Sequence, residues 1–218
     1  MASLLYTAEL DLAEPDIRPF LDWYAYRHAP DLVPLGFQSS ACYRTTGGDM
    51  NLFDIYEIPN HAIFAGAGYQ RMNARDEYAA AILARRRNKA HTIYEQHPLS
   101  LKELAPQGRL DADWIAVLRF DSAVEAGTVA ELLAGEDWHG SGIDMIRLGT
   151  RTTDHPVYTT DRPRFILSLE GQCRPAGVQA TIERLLQDIG AKAPLSRKLN
   201  FEGQRIYPWP DRPASAAI

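Results

Sequence analysis

Cysteine is scarce in this chain. Only Cys42 and Cys173 occur among 218 residues, at no spacing that metal ligation uses. Free thiols in a reducing compartment follow, and Cys42, inside a strand-like run, reads as a small buried hydrophobe. An excess of positive charge is also missing: 23 Lys and Arg against 28 Asp and Glu leave a net charge of -5. That excludes the basic surface a nucleic-acid partner requires. The cluster Arg85-Arg86-Arg87 with Lys89 follows an Ala-rich helical run and reads as a solvated helix end. No apolar run approaches the roughly 20 residues that span a bilayer, and Met1 to Leu10 lacks the features of a signal peptide. A cytoplasmic protein with no membrane or nucleic-acid partner is expected. The Gly-x-Ser-x-Gly elbow, the Walker loop, the dinucleotide glycine fingerprint and the His-Glu-x-x-His helix are absent as well.

What is present is an alternation of strand and helix signals. Leu4 to Leu12 alternates as a strand, and Glu14-Pro15-Asp16 opens a helix with proline and acid in its first turn. Ile17, Phe20, Leu21, Tyr24 and His28 then recur at three- and four-residue steps on one face. Pro30 disfavours the helical region for Ala29, so the helix is expected to end there, with His28 in its last turn. There the unpaired carbonyls and the negative end of the helix dipole would favour an imidazolium. Phe37–Thr46 and Met50–Ile58 read as a hairpin around Gly47-Gly48-Asp49. Asn60 caps a helical stretch to about Lys89, bent at Gly66 and Gly68, and Ala90–Gln96 reads as a strand.

This β-α-β-β-α-β order is the ferredoxin-like unit, and it recurs. Strands at 114–120, 143–152, 164–170 and 198–206 surround helices at 123–134 and 178–189. Residues 1–98 and 111–218 are thus two repeats joined by a linker, 99–110. A lone unit exposes one sheet face that must be covered. The expected fold is therefore α+β, with tandem ferredoxin-like repeats forming one α+β barrel, antiparallel sheets inside and helices outside.

With Tyr24 to His28-Ala29-Pro30, Pro34-Leu-Gly36-Phe37 and Phe53-Asp-Ile-Tyr56-Glu57, the chain resembles the dimeric α+β barrel superfamily. Its first half is most similar to EthD-type domains over residues 3–97. The second half lacks the His-Ala-Pro end and has Trp138-His139-Gly140 in the corresponding loop, which points to one working pocket. The resemblance implies a small-molecule pocket between sheet and helices. It also implies a range of activities, from cyclisation, isomerisation and decarboxylation to oxygenation and haem chemistry.

Within that frame His28 is the candidate acid or base, since histidine titrates near neutral pH. Asp54, sharing a strand face with Tyr56, and His91, sharing one with Ile93 and Glu95, are the candidates to orient it. Trp23, Tyr24, Tyr43, Tyr56, Tyr69 and Tyr78 are candidate substrate contacts for an aromatic ligand. His61, His97 and His155 look like loop histidines, and no metal site is expected. The leading expectation is a cofactor-independent enzyme of lyase, isomerase or cyclase type, acting by proton transfer on a small aromatic or polyketide-like compound. A haem-binding protein with one axial histidine and a non-catalytic ligand-binding module are the alternatives, and a homodimer is the expected assembly.

Overall fold

The computed structural model describes residues 4–48, 50–75, 77–98, 112–138, 140–152, 155, 158 and 161–208. The first strands are β1 (Leu4–Asp11), β2 (Ser39–Gly48), β3 (Leu52–Ile58) and β4 (Arg87–Gln96). The others are β5 (Trp114–Asp121), β6 (Met145–Arg151), β7 (Phe165–Gly171) and β8 (Ser196–Tyr207). All neighbours pair antiparallel, and the order β1-β3-β2-β8-β5-β7-β6-β4 closes on itself. The two facing sheets expected from the sequence are thus continuous, joined where β2 meets β8 and β4 meets β6.

Alternate side chains of a strand face opposite sides. Leu5, Tyr43, Ile55, Ile115, Val117 and Ile166 turn inward and pack with one another inside the barrel. Tyr6, Ala8, Leu10 and Tyr56 turn outward and meet Ile17, Phe20 and Tyr24 of the first helical segment. On the other half, Trp114, Ala116 and Leu118 meet Ile182, Leu185 and Ile189. The fold is α+β, with strands inside and helices outside. Inward-facing ions also cross between the halves. Arg147 lies 2.6 Å from Glu57 and 2.9 Å from Glu170, while Glu9 pairs with Arg119 and, at 2.6 Å, with Arg162. Such buried pairs add little net stability but penalise any other register.

The β4–β6 seam is short, with Tyr94 opposite Arg151 and Gln96 opposite Gly149. A Cβ on Gly149 would come within 2.9 Å of both Ile166 Cγ2 and Tyr94 Cβ. Gly149→Val is therefore expected to cost about 1–3 kcal/mol, the usual range for overpacking. Urea unfolding reads this directly, and an unchanged midpoint would show that the seam tolerates a side chain.

Two expectations about elements need correction. The first helix does not stop at Ala29. It runs from α1 (Glu14–Trp23) through a π turn (Tyr24–His28) into α2 (Ala29–Leu32) and a 3-10 turn (Val33–Leu35). In the π turn Ala29 donates to the Tyr24 carbonyl, five residues back. That wider turn accommodates Pro30, which lacks an N–H and whose ring would crowd the carbonyl four residues earlier. The true end is Gly36, whose φ of 100° few other residues adopt. His28 therefore sits mid-segment, away from the carbonyl end that was expected to charge it. Next, the stretch from Asn60 is broken into α3 (Ala62–Ala65), α4 (Ala67–Arg75) and α5 (Glu77–Leu83), with β4 already begun at Arg87. In the second half, α6 (Ala126–Gly135) and α7 (Val178–Lys192) fall close to expectation. The 99–110 linker and His139 lie outside the described residues. Among the described residues no helix is long and apolar enough to cross a membrane.

Candidate functional site

On the outer face of the first half, the register places Cys42, Asp54, Ala8 and His91 in one row across β2, β3, β1 and β4. The next row holds Ser40, Tyr56, Tyr6 and Ile93. Ala8 is a small floor between an acid and an imidazole. Neighbouring strands are about 4.8 Å apart, which sets Asp54 and His91 roughly 10 Å from each other. The hollow above Ala8 encloses about 50 Å³, roofed by Phe20, Trp23, Tyr24 and His28 of the helical segment. His28, Leu83, Arg86 and Tyr158 are half-buried and form its mouth.

Aromatic contacts hold the walls. Tyr6 stacks on Tyr56 at 5.2 Å, Phe37 on Tyr69 at 6.2 Å, and Trp23 on His28 at 4.6 Å. The Tyr6 hydroxyl lies 2.6 Å from His91 Nδ1, a buried bond between β1 and β4. The Tyr158 ring covers His91 at 4.1 Å, nearly parallel. Burial, then the nearby Arg86 and His155, push the His91 imidazole down to about 3, so it is neutral at physiological pH. The Tyr6 phenol goes well up, again through burial.

Asp54 is 3 % exposed, and its Oδ1 has no hydrogen-bond partner. Burial lifts its carboxyl to about 7, against the smaller opposing effects of the Cys42 thiol and the Arg86 charge. Cys42 is thus more than a small hydrophobe, because its thiol is the carboxyl's hydrogen-bonding neighbour.

The structure brings His28, Asp54, His91, Trp23, Tyr24, Tyr56 and Tyr69 to one hollow. It does not bring two of the expected contacts there. Tyr43 turns into the barrel and donates to the Ala112 carbonyl at 2.9 Å, and Tyr78 is half-exposed on α5. The expected orienting roles also change, because Asp54 turns to Cys42 and His91 to Tyr6. Sequence reasoning missed Arg86, Ala8 and Tyr158. Arg86 follows the buried Ile82 by one helical turn, a spacing that could have separated it from its exposed neighbours Arg85 and Arg87. Tyr158 comes from the β6–β7 connection, and no pattern in the sequence announces it. His155, expected as an ordinary loop residue, lies 4.3 Å from Phe64 and accepts the Tyr158 N–H at 3.3 Å.

No family model and no curated protein matches this chain. Solved structures do match, at low identity and over nearly the whole length. A candidate chlorite dismutase is 14 % identical, with 94 % of this chain and 96 % of that one covered and a TM-score of 0.58. A haem-binding protein from Thermus thermophilus is 11 % identical, covering 94 % and 91 %, at 0.53. An anthrone oxidase-like protein is 9 % identical, covering 94 % and 92 %, at 0.52. At these identities the likeness is one of fold, that of the α+β barrels with eight strands, and it does not show the EthD type in particular. It overturns the leading expectation. These three neighbours are described as a candidate chlorite dismutase, a haem-binding protein and an anthrone oxidase-like protein, so both the cofactor-independent lyase, isomerase or cyclase reading and the absence of a cofactor are withdrawn.

Proposed function

We propose that the first-half pocket holds haem and that the chain works in oxidative chemistry, with a small aromatic compound as its substrate. The carrying observation is the donor set. Haem iron asks the protein for one or two ligands, often a single imidazole. Two histidines, His28 and His91, line this aromatic hollow, and the Tyr6 hydroxyl lies 2.6 Å from the Nδ1 of His91. His28 is the half-buried imidazole at the mouth, presented by a π turn, and would hold the iron in this reading. Among the described residues no three His, Cys, Asp or Glu side chains group as a metal site. Single-ligand attachment suits such a chain better than a bare ion would.

Arg86, anchored through Nε to the Leu83 carbonyl at 3.0 Å, is the cation at the mouth and would pair with a propionate. When bound, haem supplies a redox-active iron that binds small oxygen ligands. The chain's own contribution is to exclude water with aromatic walls and to hold protons at Asp54 and at the Tyr6–His91 bond. A cofactor pocket usually encloses roughly 300–1,000 Å³. The hollow encloses about 50 Å³, so uptake must part the mouth side chains, Tyr158 foremost.

Haemin titrated into the purified protein tests this reading. The expected result is saturable uptake of one haem per chain, a sharpened Soret band and quenching of Trp23, whose ring touches His28. Unsaturable uptake that leaves Trp23 emission unchanged would overturn it.

A further inference from the structure

The Tyr6–His91 pair does more than line a wall. Tyr6 lies opposite Ile93 and His91 opposite Ala8, so the two residues are diagonal neighbours on one sheet face. Tyr6 is 4 % and His91 8 % exposed, and their 2.6 Å separation is at the short end for an O–H donor. With the imidazole neutral and its ring hydrogen on Nε2, the phenol O–H can donate to the Nδ1 lone pair, and the Tyr69 side chain is the hydroxyl's other hydrogen-bonding neighbour.

Removing an electron from a buried phenol leaves a positive charge that the apolar surroundings cannot solvate. The oxidation becomes accessible when a base already in line takes the proton in the same event. Tyr6 meets that condition. The imidazolium that results would be covered by the Tyr158 ring, nearly parallel at 4.1 Å, a face that attracts cations. A route for the electron exists too. Tyr6 stacks on Tyr56 at 5.2 Å, Tyr56 lies 6.5 Å from His28 at the mouth, and His28 stacks on Trp23 at 4.6 Å.

We propose that Tyr6 is a redox-active tyrosine, giving one electron to a high-potential one-electron oxidant while its O–H proton passes to His91 Nδ1. The O–H bond breaks, an N–H bond forms, the oxidant is reduced by one electron, and a neutral phenoxyl radical remains beside an imidazolium. Returning the electron and the proton restores the pair. The inference needs an oxidant but not haem, so it stands or falls separately from the haem reading.

The test uses haem-free protein and photochemically generated ruthenium(III) tris-bipyridine as the oxidant. Freeze-quenched samples should show a tyrosyl electron paramagnetic resonance signal that Tyr6→Phe removes, because only the hydroxyl is lost. In His91→Phe the oxidation should slow roughly a hundredfold, the scale of losing a positioned proton acceptor. Should that variant not fold, the wild type in D₂O supplies the second measurement, and its oxidation should be slower than in H₂O. A signal of equal yield in Tyr6→Phe overturns the proposal. So does a rate indifferent both to His91 and to deuterium.

Discussion

His28→Ala is expected to lower haem affinity by at least about a hundredfold, since losing even an outer partner of a metal ligand costs 10–100-fold. Whatever haem still enters should show a displaced Soret band, because the iron has lost its imidazole. The fold should survive. Alanine is the best helix former, and the His28 ring is only half-buried at the mouth. The comparison that gives the result meaning is His91→Phe, whose imidazole is engaged by Tyr6 at 2.6 Å. Haem uptake in that variant should stay close to wild type. If the two outcomes are exchanged, with uptake lost in His91→Phe and kept in His28→Ala, His91 would be the residue that holds the iron and the assignment of His28 is wrong.

The barrel was legible because its signals are periodic. Strand alternation in Leu4–Asp11 and Leu52–Ile58, and the doubled strand-helix order, specify which faces must be covered. The same alternation put Asp54 with Tyr56 on one strand face and Phe53 with Ile55 on the other, and the closed barrel turns the first pair toward the helices and the second inward. It failed for Tyr43, where a strand residue can serve either face and the sequence alone does not say which side carries the pocket. The place of His28 in its helix was misjudged for a local reason. A proline normally ends a helix, and the π turn that lets this one continue depends on how the segment packs over the sheet. Tyr158 and the pairing of Tyr6 with His91 join residues 67 and 85 positions apart, which only the closed barrel brings together. The chemistry that follows from burial, above all the opposite shifts of Asp54 and His91, was legible only once the roof of the pocket was in place.

Asp54→Asn is expected to stabilise the protein at pH 8 by several kcal/mol, up to about 4, and to change little at pH 3.5. The ceiling is the rise of the carboxyl from 3.8 to about 7, at roughly 1.36 kcal/mol for each unit. Burial raises the folded-state value, so between these two points the native protein keeps a proton that the unfolded chain has lost. Stability therefore falls as pH rises through that window and stays lowered above it. His91 works in the other direction. Its imidazole is held at about 3 against 6.5 when unfolded, so its contribution is lost as pH falls from 6.5. His155, at about 4, adds to that acid-side loss. In the wild type these slopes oppose one another over roughly pH 4–6.5. Removing the Asp54 charge leaves the histidine slopes unopposed, so the variant should gain at pH 8 yet lose stability more steeply on acidification. Urea unfolding at pH 3.5 and then at one-unit steps from pH 4 to 8 separates these outcomes. A gap between variant and wild type that is equal at both ends, or smaller at pH 8, would mean that Asp54 is ionised throughout and that its buried oxygen is satisfied in solution.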